Sequence, residues 1–294
     1  METNIIEGYL PFKEFKTYYR IANQDGKKTP LLFLHGGPGS THNSFEVFDH
    51  AAFLDDRPFI YYDQIGCGLS YVEGHEELFN KETWIEELIN LREKLKLDEI
   101  NLLGHSWGGM LAIIYLCDYS QIGVKSCVFS STLASASLWE EETHRLIKYL
   151  PKHEQESIKK AEESNDFSSL EANLAIKDYT THFVSGPFNK NDAECITRKK
   201  VFNKLAYNLS WGKSEFAPSG NLKGYEYLDK VSNIQCPVLI LNGVSDESTP
   251  YQNKCLYDKL TCEKTWEMFT NSRHMSYYEE HDKYVKILLD FLNR

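Results

Sequence analysis

No Cys-x-x-Cys pair, no long apolar run and no surplus of cations occur in this 294-residue chain. Its seven cysteines, Cys67, Cys117, Cys127, Cys195, Cys236, Cys255 and Cys262, are odd in number and scattered. Neither a disulfide framework nor a zinc knuckle is indicated, and reduced thiols in a cytoplasm are expected. The opening stretch METNIIEGYLPFKEF has no basic segment followed by an apolar one, and the longest apolar runs, such as Met110 to Cys117, are far too short to span a bilayer. Neither export nor membrane anchoring is expected. A formal charge of -11 argues against nucleic acid or an anionic membrane as partner, since both require a cationic surface. An acidic surface suits a cationic substrate as well as plain solubility. Internal repeats and low-complexity segments are also missing.

What is present is an ordinary globular composition, 41% hydrophobic and 26% charged, on a length that fits one sheet-based core carrying an insertion. Short β-branched or aromatic runs alternate with helical patterns up to about Ser131, the signature of a parallel sheet with crossover helices. Strands are expected at Lys16 to Ala22, Pro30 to Leu34, Pro58 to Tyr62, Ile100 to Leu103 and Lys125 to Ser130. Between them, Thr83 to Leu97 sets Trp84, Leu88, Leu91 and Leu95 at helical spacing. From Ser131 to Lys230 the chain turns rich in Glu, Lys, Asn and Tyr, with helical patterns and no buried strand. The sheet pattern resumes at Pro237 to Asn242 and Thr265 to Phe269, with helices near Gln252 to Leu260 and Tyr277 to Leu292. The expected organisation is an α/β core of residues 1–133 and 231–294, a mostly parallel sheet flanked by helices, interrupted by a helical cap over 134–230.

The chemistry-bearing motif is Gly104-His-Ser-Trp-Gly-Gly109, directly after the strand Ile100 to Leu103 and before the apolar stretch Met110 to Cys117. Glycines two before and two after Ser106 allow a turn so sharp that the hydroxyl stands out at the carboxyl end of the strand. This is the nucleophile elbow of the α/β-hydrolase fold. A serine hydroxyl needs a base and a carboxylate to orient that base, and on this fold the chain order is Ser, then Asp or Glu, then His. Asp246 follows the strand Pro237 to Asn242, and His274 follows Thr265 to Phe269, each on a loop at a strand's carboxyl end. They are the expected orienter and base. Among the other histidines, His105 adjoins the nucleophile and is directed elsewhere on the elbow. His35 opens His35-Gly-Gly-Pro-Gly39, a turn able to offer a backbone N–H to an oxyanion, and the expected donors are the N–H groups of Gly37 and Trp107. Neither Gly-rich segment has the lysine or spacing of a nucleotide loop. No metal or organic cofactor is required.

Together with Tyr62-Asp-Gln-Ile-Gly-Cys-Gly-Leu-Ser70, Gly243-Val-Ser-Asp-Glu247 and the His274 loop, these motifs resemble the proline iminopeptidase (prolyl aminopeptidase) family over almost the whole chain. The resemblance implies Ser106, Asp246 and His274 as triad, an acyl-enzyme route, and a peptide substrate with a free N-terminal proline. It further implies an acidic clamp for the substrate amine, with Glu215 of Trp211-Gly-Lys-Ser-Glu-Phe216 as one carboxylate and Glu247 as the other. Two positions depart from the family's commonest pattern, His105 and Leu69; neither changes the triad, and both bear on the shape of the first-residue pocket. Trp139, at the cap entrance, is a candidate wall of the first-residue pocket, or simply cap-to-core packing. Hydrolases of the same fold acting on other amino-acid amides, esters or lactones are the nearest alternative. Epoxide and haloalkane hydrolases use an aspartate where this chain has Ser106, and a non-catalytic binding module would not need the whole triad.

Overall fold

The computed structural model describes residues 4–294, so the first three residues of the expected core segment lie outside it. Among these residues eight strands form one sheet: β1 (Ile5–Phe12), β2 (Phe15–Ala22), β3 (Leu31–Leu34), β4 (Phe59–Tyr62), β5 (Ile100–His105), β6 (Val124–Ser130), β7 (Val238–Gly243) and β8 (Lys264–Phe269). Their order is β1-β2-β4-β3-β5-β6-β7-β8. The β1–β2 and β2–β4 pairs are antiparallel, and all others are parallel. The sequence pattern predicts seven of these strands and misses β1. That strand is an edge hairpin partner, half exposed along its length and interrupted by Gly8 and Pro11, so it carries neither a buried run nor clean alternation.

Among the described residues eleven α-helices accompany the sheet: α1 (Asp49–Leu54), α2 (Lys81–Lys94), α3 (Trp107–Ile114), α4 (Ala136–Ile147), α5 (Lys152–Ser164), α6 (Leu170–Phe183), α7 (Glu194–Thr197), α8 (Lys204–Ser210), α9 (Pro250–Lys259), α10 (Ser276–Glu279) and α11 (His281–Leu292). Helix α2 begins two residues earlier than its apolar periodicity suggests, because Asn80 caps it by accepting from the Thr83 N–H. No helix among the described residues is long and apolar enough to cross a membrane.

The central strands are apolar throughout because helices cover both sheet faces. Along β3, Leu32 and Leu34 join Trp84, Leu88 and Leu91 of α2 on one side, while Leu31 and Phe33 join Phe48, Tyr284 and Leu288 on the other. The two-residue period of a strand thus feeds two separate cores. Helices α4 to α8 all fall between β6 and β7, and the segment returns to its entry point where Ser135 bridges Glu226. Part of it has its own apolar cluster, including Leu146, Ile158, Tyr179 and Phe216, whereas Trp139 and Trp211 belong to the main core.

One buried acid ties α2 to the sheet. Glu87 accepts from the Ile65 N–H at 2.8 Å and from the Thr17 hydroxyl. Burial pushes its pKa up to about 8. The folded chain therefore keeps a proton that an unfolded Glu releases near about pH 4.3, so this group's contribution to stability falls as pH rises from there through about 8. Glu87→Gln removes that component. The expected result, from urea unfolding between pH 5 and 9, is a wild-type-minus-variant difference that declines with pH; a flat difference would show that Glu87 does not titrate there.

Candidate active site

Strand β5 delivers Ser106 into a strained turn, with φ 54° and ψ -124°. The turn is pinned through its backbone: the Ser106 N–H donates to Ser130 O at 3.0 Å, and the Thr132 hydroxyl donates to Ser106 O at 2.7 Å. The Ser106 side chain does not cap α3, which leaves its hydroxyl free. Gly108 is required by proximity, since a Cβ there would lie 1.9 Å from Leu34 O. The elbow can press against β3 only without a side chain.

Three residues beyond β7 stands Asp246, and five beyond β8 stands His274. Their loops are stitched together by Val244 N–H to Phe269 O at 2.9 Å and Ser245 N–H to Ser272 O at 3.1 Å. His274 Nδ1 lies 2.7 Å from Asp246 Oδ1, which also accepts the Ser248 N–H at 2.8 Å. Asp246 is 1% exposed, so the pair operates out of bulk water, where such a contact is strong. His274 and Ser106 line the same cavity, of about 440 Å³, without a hydrogen bond joining them; such contacts tighten as substrate binds.

Gly37 also lines this cavity, held at φ +121° in the turn after β3. Trp107 is the first residue of α3, where N–H groups lack helical partners and the helix end is positive. Neither N–H donates to a backbone atom of the described residues. Gln64, to which the sequence reading assigns no role, joins the two segments. Its buried carboxamide donates to His35 O at 3.1 Å and accepts the Trp107 indole N–H at 2.8 Å. The only sequence signal for it is its place in the Tyr62-Asp-Gln stretch. Asp63 beside it fixes the next loop, accepting the His42 N–H, the His42 ring at 2.7 Å and the Leu69 N–H.

His105 differs from expectation. Instead of turning away, its ring meets the His274 ring edge-on at 4.7 Å, and its Nε2–H donates to His274 O at 3.2 Å. Burial, then the nearby His274, holds its pKa well below the usual value, so the ring is neutral. The sequence gives no hint of this contact because it joins residues far apart in the chain.

Glu215 and Glu247 line the cavity as well. Glu247 is 4% exposed and its Oε2 has no hydrogen-bond partner among the described residues. Burial, then the charges of Glu215 and Asp246, raises its pKa well above the carboxylate range. Glu215 is raised too, chiefly by burial, although Tyr207 donates its hydroxyl to Oε2. The Glu215 backbone is held by two indoles, with Trp139 Nε1–H at 2.9 Å and Trp211 Nε1–H at 3.2 Å from its carbonyl oxygen. Trp139 is thus packing and anchor; it does not wall the cavity.

An elbow serine, a histidine on a buried aspartate and a mostly parallel sheet put the chain in the class of α/β hydrolases, and residues 29–281 match the model of the alpha/beta hydrolase fold. Among curated proteins it is 50% identical to the proline iminopeptidase of Clostridioides difficile (strain 630), over 98% of both chains, and 48% identical to that of Clostridium botulinum, over 99% of both. Among solved structures it superposes on VinJ with a TM-score of 0.87 at 28% identity, over 98% of both chains. It shares the fold of the Mycobacterium smegmatis proline iminopeptidase, with a TM-score of 0.84 at 23% identity over 98% of both chains. The chain belongs to the proline iminopeptidase family.

Proposed function

We propose that Ser106, His274 and Asp246 form the catalytic triad of an aminopeptidase that releases proline from the N-terminus of peptides. The observation that carries this reading is the pair of buried carboxyl groups, Glu215 and Glu247, in the same cavity as Ser106 and His274. A protonated N-terminal proline has two N–H donors, and two carboxylates can accept both. An acylated N-terminus offers neither the charge nor the donors, which makes the enzyme an exopeptidase.

Ser106 Oγ attacks the carbonyl of the first residue while His274 Nε2 takes its proton and Asp246 stabilises the imidazolium. The N–H groups of Gly37 and Trp107 receive the oxyanion; losing one such donor typically costs about 2.7–4 kcal/mol of transition-state stabilisation. His274 then protonates the departing amine, and water cleaves the acyl-enzyme by the reverse route. Ile176 and Phe216 supply apolar wall for the pyrrolidine ring. Residues 134–230 serve as a cap that completes the cavity, and the seven unpaired cysteines support a cytoplasmic setting.

Hydrolysis of prolyl-, alanyl- and leucyl-arylamides tests the reading. The prolyl compound is expected to have the highest kcat/KM, and a better alanyl or leucyl substrate would overturn the assignment of proline.

A further inference from the structure

The cavity of Ser106 has a second charged feature besides its glutamates. Lys204 and Lys213 line it, and both also line an adjoining cavity of about 380 Å³ that contains neither Ser106, His274, Glu215 nor Glu247. They therefore stand where the two cavities adjoin, and both are exposed. Lys204 follows Asn203, whose N–H donates to Gly39 O at 2.8 Å, so it is tethered beside the expected oxyanion turn. One helical turn further, Tyr207 holds Glu215. Lys213 lies two residues before Glu215 on the same loop.

In a chain where 43 acids face 32 Lys and Arg, these cations are poorly matched. The Lys204 side chain makes no hydrogen bond or ion pair among the described residues. Lys213 reaches only Asn165 O, at 3.4 Å, with Asp166 as the nearby carboxylate. Lys204 is thus the freer charge of the two.

We propose that Lys204 and Lys213 form a subsite for the C-terminal carboxylate of short peptides, so that both ends of a zwitterionic substrate are read by opposite charges. The proposal rests on the aminopeptidase reading. An extended dipeptide or tripeptide spans about 7–11 Å, which a flexible exposed lysine at the junction of the two cavities can meet; a longer peptide carries its carboxylate beyond that junction. The subsite therefore favours di- and tripeptides over long chains.

The test compares kcat/KM for Pro-Ala and Pro-Ala-Ala with that for their C-terminal amides, in the wild type, in the Lys204→Met/Lys213→Met double variant and in the corresponding double arginine variant. The expected acid-to-amide ratio is about tenfold at low salt, from two exposed ion pairs of about threefold each. It falls toward one in the methionine variant and in about 1 M salt, and the arginine variant keeps it. A wild-type ratio near one, or a ratio that the methionine variant preserves, overturns the subsite. Prolyl arylamide, which has no carboxylate, separates the two readings. If the wild type does not cleave it, the aminopeptidase reading falls and the subsite with it; if it is cleaved while the ratio stays at one, only the subsite falls.

Discussion

Ser106→Ala is expected to lower kcat/KM for prolyl arylamide by about 10⁵–10⁶-fold while leaving the chain folded. The backbone of the elbow is held by Ser130 O and the Thr132 hydroxyl, neither of which touches the Ser106 side chain, so the turn survives loss of the Oγ. Labelling by a fluorophosphonate disappears with the activity. Ser40 also lines the cavity, and labelling that persists in the variant would place the nucleophile elsewhere. Asp246→Asn gives a related loss of about 10⁴-fold for a different reason. An amide there donates to His274 Nδ1, leaves the proton on Nε2, and so removes the lone pair that must accept from Ser106.

Glu247→Gln has two expected effects of opposite sign. Turnover of prolyl arylamide falls about 10²-fold or more, because the substrate ammonium loses a buried charged acceptor. An ester lacking an amine, which never used the clamp, loses far less. Stability at neutral pH moves the other way. Burial and the neighbouring carboxylates make Glu247 hard to ionise in the folded state, so the folded chain binds the proton more tightly than the unfolded one does. Its contribution to stability is intact below the unfolded pKa of about 4.3 and is lost as pH rises toward the elevated folded value. Glutamine has no proton to lose, and the variant should melt about 2–4 °C higher at pH 8, with the gain vanishing below pH 4. Equal losses on amide and ester would count against the clamp; a lower melting temperature at pH 8 would count against the strained carboxyl pair. The same sign governs binding: KM for prolyl substrates rises as pH falls, because more of the glutamates are then protonated and cannot pair with the ammonium.

Much of the architecture was readable because burial on two sheet faces leaves unmistakable runs, such as Leu31 to Leu34 and Ile100 to Leu103. Ser106 was readable for a related reason: the turn tolerates only glycine where Leu34 O approaches Gly108. The chain order of Asp246 and His274 followed from the topology. What the sequence hid were contacts that join distant segments without a compositional mark. Gln64 bridges the turn after β3 to the first residue of α3, yet a buried glutamine looks like any other polar residue until its partners are known. His105 is silent for the same reason, since its partner lies 169 residues away. The edge strand β1 was missed because half its surface faces water, and exposed positions obey no pattern.

Of the two carboxyl groups of the proposed clamp, one comes from the chain's largest interruption and the other from the core that follows it. Glu247 rides on the loop after β7, next to the triad aspartate, whereas Glu215 is delivered by the segment between β6 and β7 and is fastened there by Trp139, Trp211 and Tyr207. If these carboxyl groups read the amine as proposed, recognition acts as a coincidence detector that registers a substrate only when the two parts are in register, and the triad loops share that alignment, since the Glu247 N–H donates to Phe183 O at 3.1 Å and Arg273 to Thr181 O at 2.6 Å. Selectivity and reactivity are thereby geared together: a change in the inserted segment that shifts Glu215 also pulls on the loops beside Asp246 and His274.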